Sequence, residues 1–458
     1  MWCRSQVVPS LLYRLETRAD RPRFAKIAEV ARPEVRSPMP NRPIVAALLG
    51  LLGLPTVLLA QDPPSGWHQL GGPTRNFQVD SAPLAETWPD EGPPMLWTRS
   101  LGEGYSSIVV DGDLLVTMYR AQDEELIVGL DAASGATRWR HAYPAPLAHN
   151  GYVDIWLNAS GPGPYSTPLL AYGGVFAVGI DGALHALEAE TGLVRWSVNL
   201  SERFELAEYN AFASSPLAFD GTVILPLGGS GAGVVALNPA SGAVVWRSEF
   251  FAVAPGSPLL IRVEGRDQLV VVGQQELVGL DPGDGRVLWR HPHENELGLN
   301  LSMPVWGADE RLFMSSAYGS GSRMLTLSVI DGRTTPEEAW STNRMRIHFT
   351  NALRVDGMVL GSSGDFGPAF LTALDASTGE ELWRDRSFAR AHLVYADDKV
   401  ILVDEDGELA LASVTDDGLD VQARHALLTE NAWTPPTLVG RTLYVRDRKN
   451  ILALDIGR

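Results

Sequence analysis

Cysteine is all but missing from this chain: Cys3 is the single one among 458 residues. No disulfide framework and no thiolate metal site can be built from it. Basic charge is also in short supply, with 37 Lys and Arg against 55 Asp and Glu. Setting aside residues 1–60, which hold nine of the former and four of the latter, leaves 28 against 51, a net charge of −23. Nucleic acid and anionic lipid are held by Lys and Arg that displace counterions, so neither is an expected partner. The apolar run at residues 44–59 is too short for a membrane helix. With Arg42 before it and Ala60 at its end, it predicts a cleaved signal peptide over 39–60 starting at Met39. Residues 1–38 are then a mis-assigned extension, and the mature protein is exported, periplasmic or extracellular, with no stable membrane insertion. No Cys follows Ala60, so a lipid anchor at that point is excluded.

Helix signals are scarce after residue 60, whereas turn residues abound, with 45 Gly and 31 Pro set between apolar runs. One phrase recurs six times: an apolar run, a turn ending in Gly, and a short strand closing on Trp. The copies end at Trp139, Trp196, Trp246, Trp289, Trp340 and Trp383, the fifth (Ser328 to Trp340) being degraded. A fixed phrase at intervals of some forty to sixty residues marks a repeat architecture. Each unit opens on a second signature, such as Ser106-Ser107, Ser166-Thr167-Pro168, Ser214-Ser215-Pro216 or Thr434-Pro435-Pro436. An Asp-Gly or Gly-Gly hairpin signal follows.

Every unit therefore reads as four antiparallel strands, with an Asp-x-x-[Ser/Thr]-Gly turn joining the third to the Trp strand. In that turn Asp caps backbone N–H groups and Gly supplies the left-handed position. Four-stranded units at this spacing describe β-propeller blades. Six end on Trp, a seventh runs from His392 to about Ala423, and residues 434–455 supply three strands of an eighth. The missing strand is Pro94 to Thr98, so the N-terminal strand closes the ring. The fold class is all-β, an eight-bladed propeller over 96–458. A Pro-rich arm, 61–95, is expected to wrap its outside.

The Leu-[Asp/Asn]-x-x-[Ser/Thr]-Gly-x-x-x-Trp phrase, as in Leu130 to Trp139, Leu237 to Trp246, Leu280 to Trp289 and Leu374 to Trp383, resembles the repeat of the pyrroloquinoline-quinone-like propeller superfamily. Kelch and WD repeats fit worse, since no Trp-Asp dipeptide occurs. In size and exported layout the chain looks like the outer-membrane-protein assembly lipoprotein type. The resemblance implies the fold and leaves two activities open, because the superfamily holds quinone dehydrogenases and non-catalytic scaffolds. The dehydrogenases carry two adjacent cysteines beside the quinone, and this chain has none there.

The repeated Asp131, Asn238, Asp281 and Asp375 read as turn caps, since a catalytic group is needed once and not in every unit. The outer Trp residues read as blade packing. His291-Pro292-His293 with Glu294 and Glu296 has metal-ligand chemistry but reads as a solvated loop. Asp404-Glu405-Asp406-Gly407-Glu408 lacks the spacing of a calcium loop and reads as a charged turn. Gly228 to Gly233 reads as a hairpin tip, and His185 and His348 as strand residues.

The unrepeated positions before each opening signature are the candidate ligand-binding residues: Tyr105, Tyr165, Phe349, Arg390 and Trp433, at the mouth of the channel. They could take a planar or anionic ligand or a peptide, or simply fill the opening. The reading is a monomeric envelope scaffold binding a protein or peptide, with no cofactor. The alternatives are an alcohol or sugar dehydrogenase using pyrroloquinoline quinone with calcium, and a sugar-binding module using the aromatic segment 143–165.

Overall fold

The computed structural model describes residues 66–147, 161–206, 212–229, 231–365 and 367–458. The signal peptide and extension expected at 1–60 lie outside these residues, as do His149, Tyr152 and Trp156.

Eight antiparallel sheets form in chain order, each a meander from inner to outer strand. Blade one comprises Val109–Asp111, Leu114–Ala121, Glu124–Asp131 and Thr137–Pro144, and blade four Leu259–Val263, Arg266–Val272, Glu276–Leu280 and Val287–Pro292. The middle strands bury both faces, so they read as unbroken apolar runs: every residue of Ala232–Leu237 is buried. Neighbouring sheets supply the cover. Val109, Val116, Met118 and Ile127 of blade one pack with Leu170, Val175, Ala177 and Leu187 of blade two.

Blade eight takes Thr437–Val439, Thr442–Arg446 and Asn450–Asp455 from the C-terminus and Met95–Ser100 from the N-terminus. Trp97 stands opposite Ala453. The ring closes as the sequence predicts.

The recurring phrase is a latch between blades. Trp97 Nε1 donates to Ala132 O of blade one at 3.0 Å, Trp139 to Ala189 O at 2.8 Å, Trp196 to Pro239 O at 3.0 Å, Trp246 to Pro282 O at 3.1 Å and Trp340 to Ala376 O at 3.0 Å. The turn glycine of the next blade lies under the ring. Gly135 has φ +69°, and a Cβ there would stand 2.7 Å from Trp97. The phrase thus needs its glycine twice, for the turn and for the indole of the preceding blade. Where blade five replaces the phrase with a tight turn at Asp331-Gly332, Trp289 donates instead to Gln268 Oε1 at 2.8 Å.

The arm departs from expectation: it lies inside the channel, not around the ring. Gly66 and Trp67 pair with Asp111 and Val110 on the free, channel-side edge of the inner strand of blade one. His68 O accepts from Leu170 N of blade two, and Arg75 Nη1 donates to Pro216 O of blade three. Across the channel, Gln78 Nε2 donates to Arg354 O of blade six, and Phe77 O and Val79 N bond Tyr395 of blade seven. The arm leaves beside blade eight, where Leu84 bridges Gly457 and Arg458 Nε donates to Leu84 O at 3.0 Å.

The cause is apolar burial together with unpaired strand edges. Trp67, Phe77 and Leu84 are buried, which an external wrapping would not achieve, and the inner edges offer free backbone donors and acceptors. Gly71 and Gly72, at φ +77° and +79°, fold the crossing segment back, and the Trp67 ring lies against Gly72. The arm meets the C-terminal ends of the inner strands, so it closes the face that carries the Asp-x-x-Ser-Gly turns.

Candidate functional site

The opposite face begins where each inner strand begins. Its serines and threonines form a belt between blades, a role the sequence reading did not assign. Ser107 N donates to Thr167 Oγ1 at 3.2 Å, Thr167 N to Ser215 Oγ at 3.0 Å and Ser215 N to Ser257 Oγ at 2.9 Å. Farther round, Ile347 N donates to Ser315 Oγ and Leu393 N to Asn351 Oδ1, both at 3.0 Å. Each of these side-chain oxygens satisfies a backbone N–H in or just before an inner strand. The recurrence of Ser or Thr in the openings was the available signal.

The residues just before the belt meet as one aromatic group. Tyr105 stacks on Tyr165 with ring centroids 6.2 Å apart and planes within 6°. Trp433 lies 5.2 Å from Tyr105 and 5.0 Å from Phe349, joining blades one and two to blade six. Arg390 Cζ sits 5.3 Å over the Phe349 ring. All five sequence-selected residues are therefore in one contiguous set. Tyr105 and Arg390 are buried, whereas Tyr165, Phe349 and Trp433 are half-buried.

Arg390 is committed within the protein. Its Nη1 reaches both oxygens of Glu405 at 3.0 and 2.9 Å, its Nη2 donates to Asp365 O, and Trp433 Nε1 donates to Glu405 Oε2 at 3.0 Å. Glu405 thus neutralises the cation offered as an anion receptor, and the mouth is aromatic without a free charge at Arg390. Other carboxylates of that acidic turn are also engaged: Asp404 accepts from the backbone N–H groups of Ala389, Asp406 and Glu408, and Glu408 pairs with Arg424. His348 contacts Phe349 and Tyr318, and His392 bonds Trp433 O at 3.0 Å. Burial holds both imidazoles down at about 4, aided at His348 by the Arg390 charge, so both are neutral at neutral pH.

Two other polar groups are internal. Glu125 is buried and accepts from Tyr143 OH at 2.9 Å, Arg120 Nη2 at 3.3 Å and Ile180 N at 3.2 Å. His141 and His185 bond each other at 3.1 Å beside Tyr143. The His291-Pro292-His293 pair is not a solvated loop. His291 ends an outer strand near Glu338, while His293 turns inward, fully buried, onto Ser316 Oγ at 2.9 Å. The chain must cross from the outer edge of blade four back to the axis there, which carries alternate residues inside.

The model of the family described as outer membrane protein assembly factor BamB matches residues 94–258, 230–365 and 337–457. The chain belongs to this family. BamB of Burkholderia pseudomallei is 25% identical over 372 residues, covering 73% of this chain and 91% of its own. The BamB structure from Moraxella catarrhalis superposes with a TM-score of 0.54 at 17% identity over 78% of this chain and 96% of that one, which speaks for the fold alone. The quinohemoprotein alcohol dehydrogenase ADH-IIG of Pseudomonas putida is 25% identical over 380 residues, 74% of this chain but 50% of its own.

A calcium-dependent quinone of the dehydrogenase kind would need metal ligands among the described residues. No three His, Cys, Asp or Glu side chains converge among them as metal ligands. At the mouth, Glu405 and Asp404 are bonded to Arg390, Trp433 and backbone N–H groups. No helix among the described residues is long and apolar enough to cross a membrane.

Proposed function

We propose that this BamB-family chain is an exported, non-catalytic propeller that binds protein or peptide partners in the cell envelope and uses no cofactor. The observation that carries the reading is that the charged groups and the imidazole at the mouth are engaged within the protein. Arg390, Glu405, Asp404 and His392 are each bonded internally, so none is poised for proton transfer or charge stabilisation. What the face offers is half-buried aromatic surface from Tyr165, Phe349 and Trp433 on a rigid ring, which suits a protein or peptide contact. The length match to BamB supports an assembly role, and the signal expected at 39–60 supports export; the expected state is a monomer.

The likeness to quinohemoprotein alcohol dehydrogenase keeps a second reading worth testing. The purified exported chain is mixed with pyrroloquinoline quinone and calcium, and absorbance and dye-linked alcohol oxidation are recorded. Turnover with stoichiometric quinone would overturn the scaffold reading. Absence of turnover, with binding to outer-membrane-assembly proteins that weakens in Trp433→Ala, is the expected result.

A further inference from the structure

Four arginines among the described residues are buried: Arg75, Arg120, Arg390 and Arg446. Three of them, Arg120, Arg390 and Arg446, are engaged through both terminal nitrogens, with Nε alone unpartnered at Arg390. Arg120 pairs with Glu125 and donates to Pro162 O and Ala145 O; Arg390 pairs with Glu405. Arg446 donates to Gly104 O, Ser106 O, Met118 O and Thr117 Oγ1 at 2.8–3.0 Å.

Arg75 is different. It is 2% exposed, and only Nη1 has partners, Gln69 Oε1 at 3.2 Å and Pro216 O at 3.1 Å. Nε and Nη2 are both buried without a partner, a combination no other arginine among the described residues shows. The backbone of Arg75 belongs to the arm that closes one face, at φ +57°, and its side chain reaches the carbonyl just before the inner strand of blade three. The guanidinium therefore lies within the channel. Ser214, two residues before that carbonyl, also has a buried hydroxyl with no partner.

The Nε–Nη2 edge carries two parallel N–H groups whose spacing matches the two oxygens of a planar oxyanion. A buried charge without a counter-charge is strongly disfavoured, and no carboxylate among the described residues pairs with this one. Its burial alone holds the guanidinium down to about 9, with no acidic group opposing the shift.

We propose that Arg75 is the base of a small oxyanion site inside the channel, taking a carboxylate-type anion on its Nε–Nη2 edge. The site is separate from the aromatic mouth, where the one arginine is already paired. The ligand binds the folded chain alone, so it stabilises in proportion to the logarithm of its concentration.

The probe is acetate. Thermal unfolding of the exported chain is followed in rising sodium acetate, with ionic strength held constant by chloride, beside Arg75→Met. The wild type is expected to gain a few degrees in Tm with a saturable onset, and Arg75→Met to show no acetate response. Crystals of the wild type grown from acetate are expected to show planar density on the Nε–Nη2 edge, a reading that does not depend on the variant folding. Water alone on that edge with a flat wild-type Tm would overturn the proposal. So would an equal acetate response in both proteins, which places the effect elsewhere.

Discussion

Replacing Arg446 by Met should unfasten the joint between the last blade and the first. Arg446 ends the strand Thr442–Arg446 and is fully buried. Its guanidinium crosses to blade one, with Nη2 to Gly104 O at 2.9 Å and Nη1 to Ser106 O at 3.0 Å, Thr117 Oγ1 at 3.0 Å and Met118 O at 2.8 Å. Methionine keeps much of the stem volume and removes every donor. Ser106 O retains the Thr117 hydroxyl, but Gly104 O and Met118 O lose the guanidinium donor. At about 1–3 kcal/mol for each buried group left unsatisfied, the gross loss is roughly 2–6 kcal/mol. Relief from burying the cation offsets part of this, and a net loss of about 3 kcal/mol is expected. Urea unfolding followed by tryptophan fluorescence measures it. Hydrogen exchange should localise the loss to Met95–Ser100 and to the strands of blades one and eight. A change below about 1 kcal/mol, or loss of protection spread evenly over all blades, would refute the clamp.

Trp246→Ala removes the bond to Pro282 O and the ring over Gly285, and should cost about 3–5 kcal/mol in the same urea assay; a cost near zero would deny the latch its role. Deleting residues 66–79 should lower Tm and expose the inner strands of blades one and seven to hydrogen exchange while the outer strands stay protected; unchanged exchange there would place the arm outside the channel. His185, His348 and His392 ordinarily titrate near 6.5 and are held at about 4 by burial, so the unfolded chain binds their protons first. Stability should be level above about pH 6.5 and fall between 6.5 and 4, by up to roughly 1.4 kcal/mol per pH unit for each histidine. His392→Gln should flatten that slope by about one proton, and an unaltered slope would mean that His392 is not protected from protonation.

The ring was legible because its signals are local and repeated. Asp-x-x-Ser-Gly, the Trp that follows and the Asp-Gly hairpins lie close together in each unit, and six copies of the phrase correct one another's ambiguities. Trp97 announced ring closure for the same reason. The arm was not legible, since Gly71-Gly72-Pro73 announces a turn and nothing in 66–79 repeats. Its partners stand at Val110, Pro216, Arg354 and Tyr395, contacts between residues far apart in sequence that no window captures. The mouth was half legible. Position along each unit brought Tyr105, Tyr165, Phe349, Arg390 and Trp433 together, but the neutralising Glu405 belonged to a turn read as a separate motif. His293 shows the same limit: its polar neighbours suggest exposure, while the path of the chain back to the axis buries it.

Closing the ring with Met95–Ser100 and crossing the channel with Gly66–Val79 sets a schedule for the chain's birth. Both segments are made first, yet their partners include Asn450–Asp455 and Tyr395, among the last residues to emerge. Through most of synthesis, Trp67, Phe77 and Trp97 have no finished surface to join, and the chain must be kept from aggregating. A chain that stops short of residue 450 leaves Met95–Ser100 stranded and open to proteases. The ring therefore inspects its own length: only a chain that reaches Asn450–Asp455 can shut it.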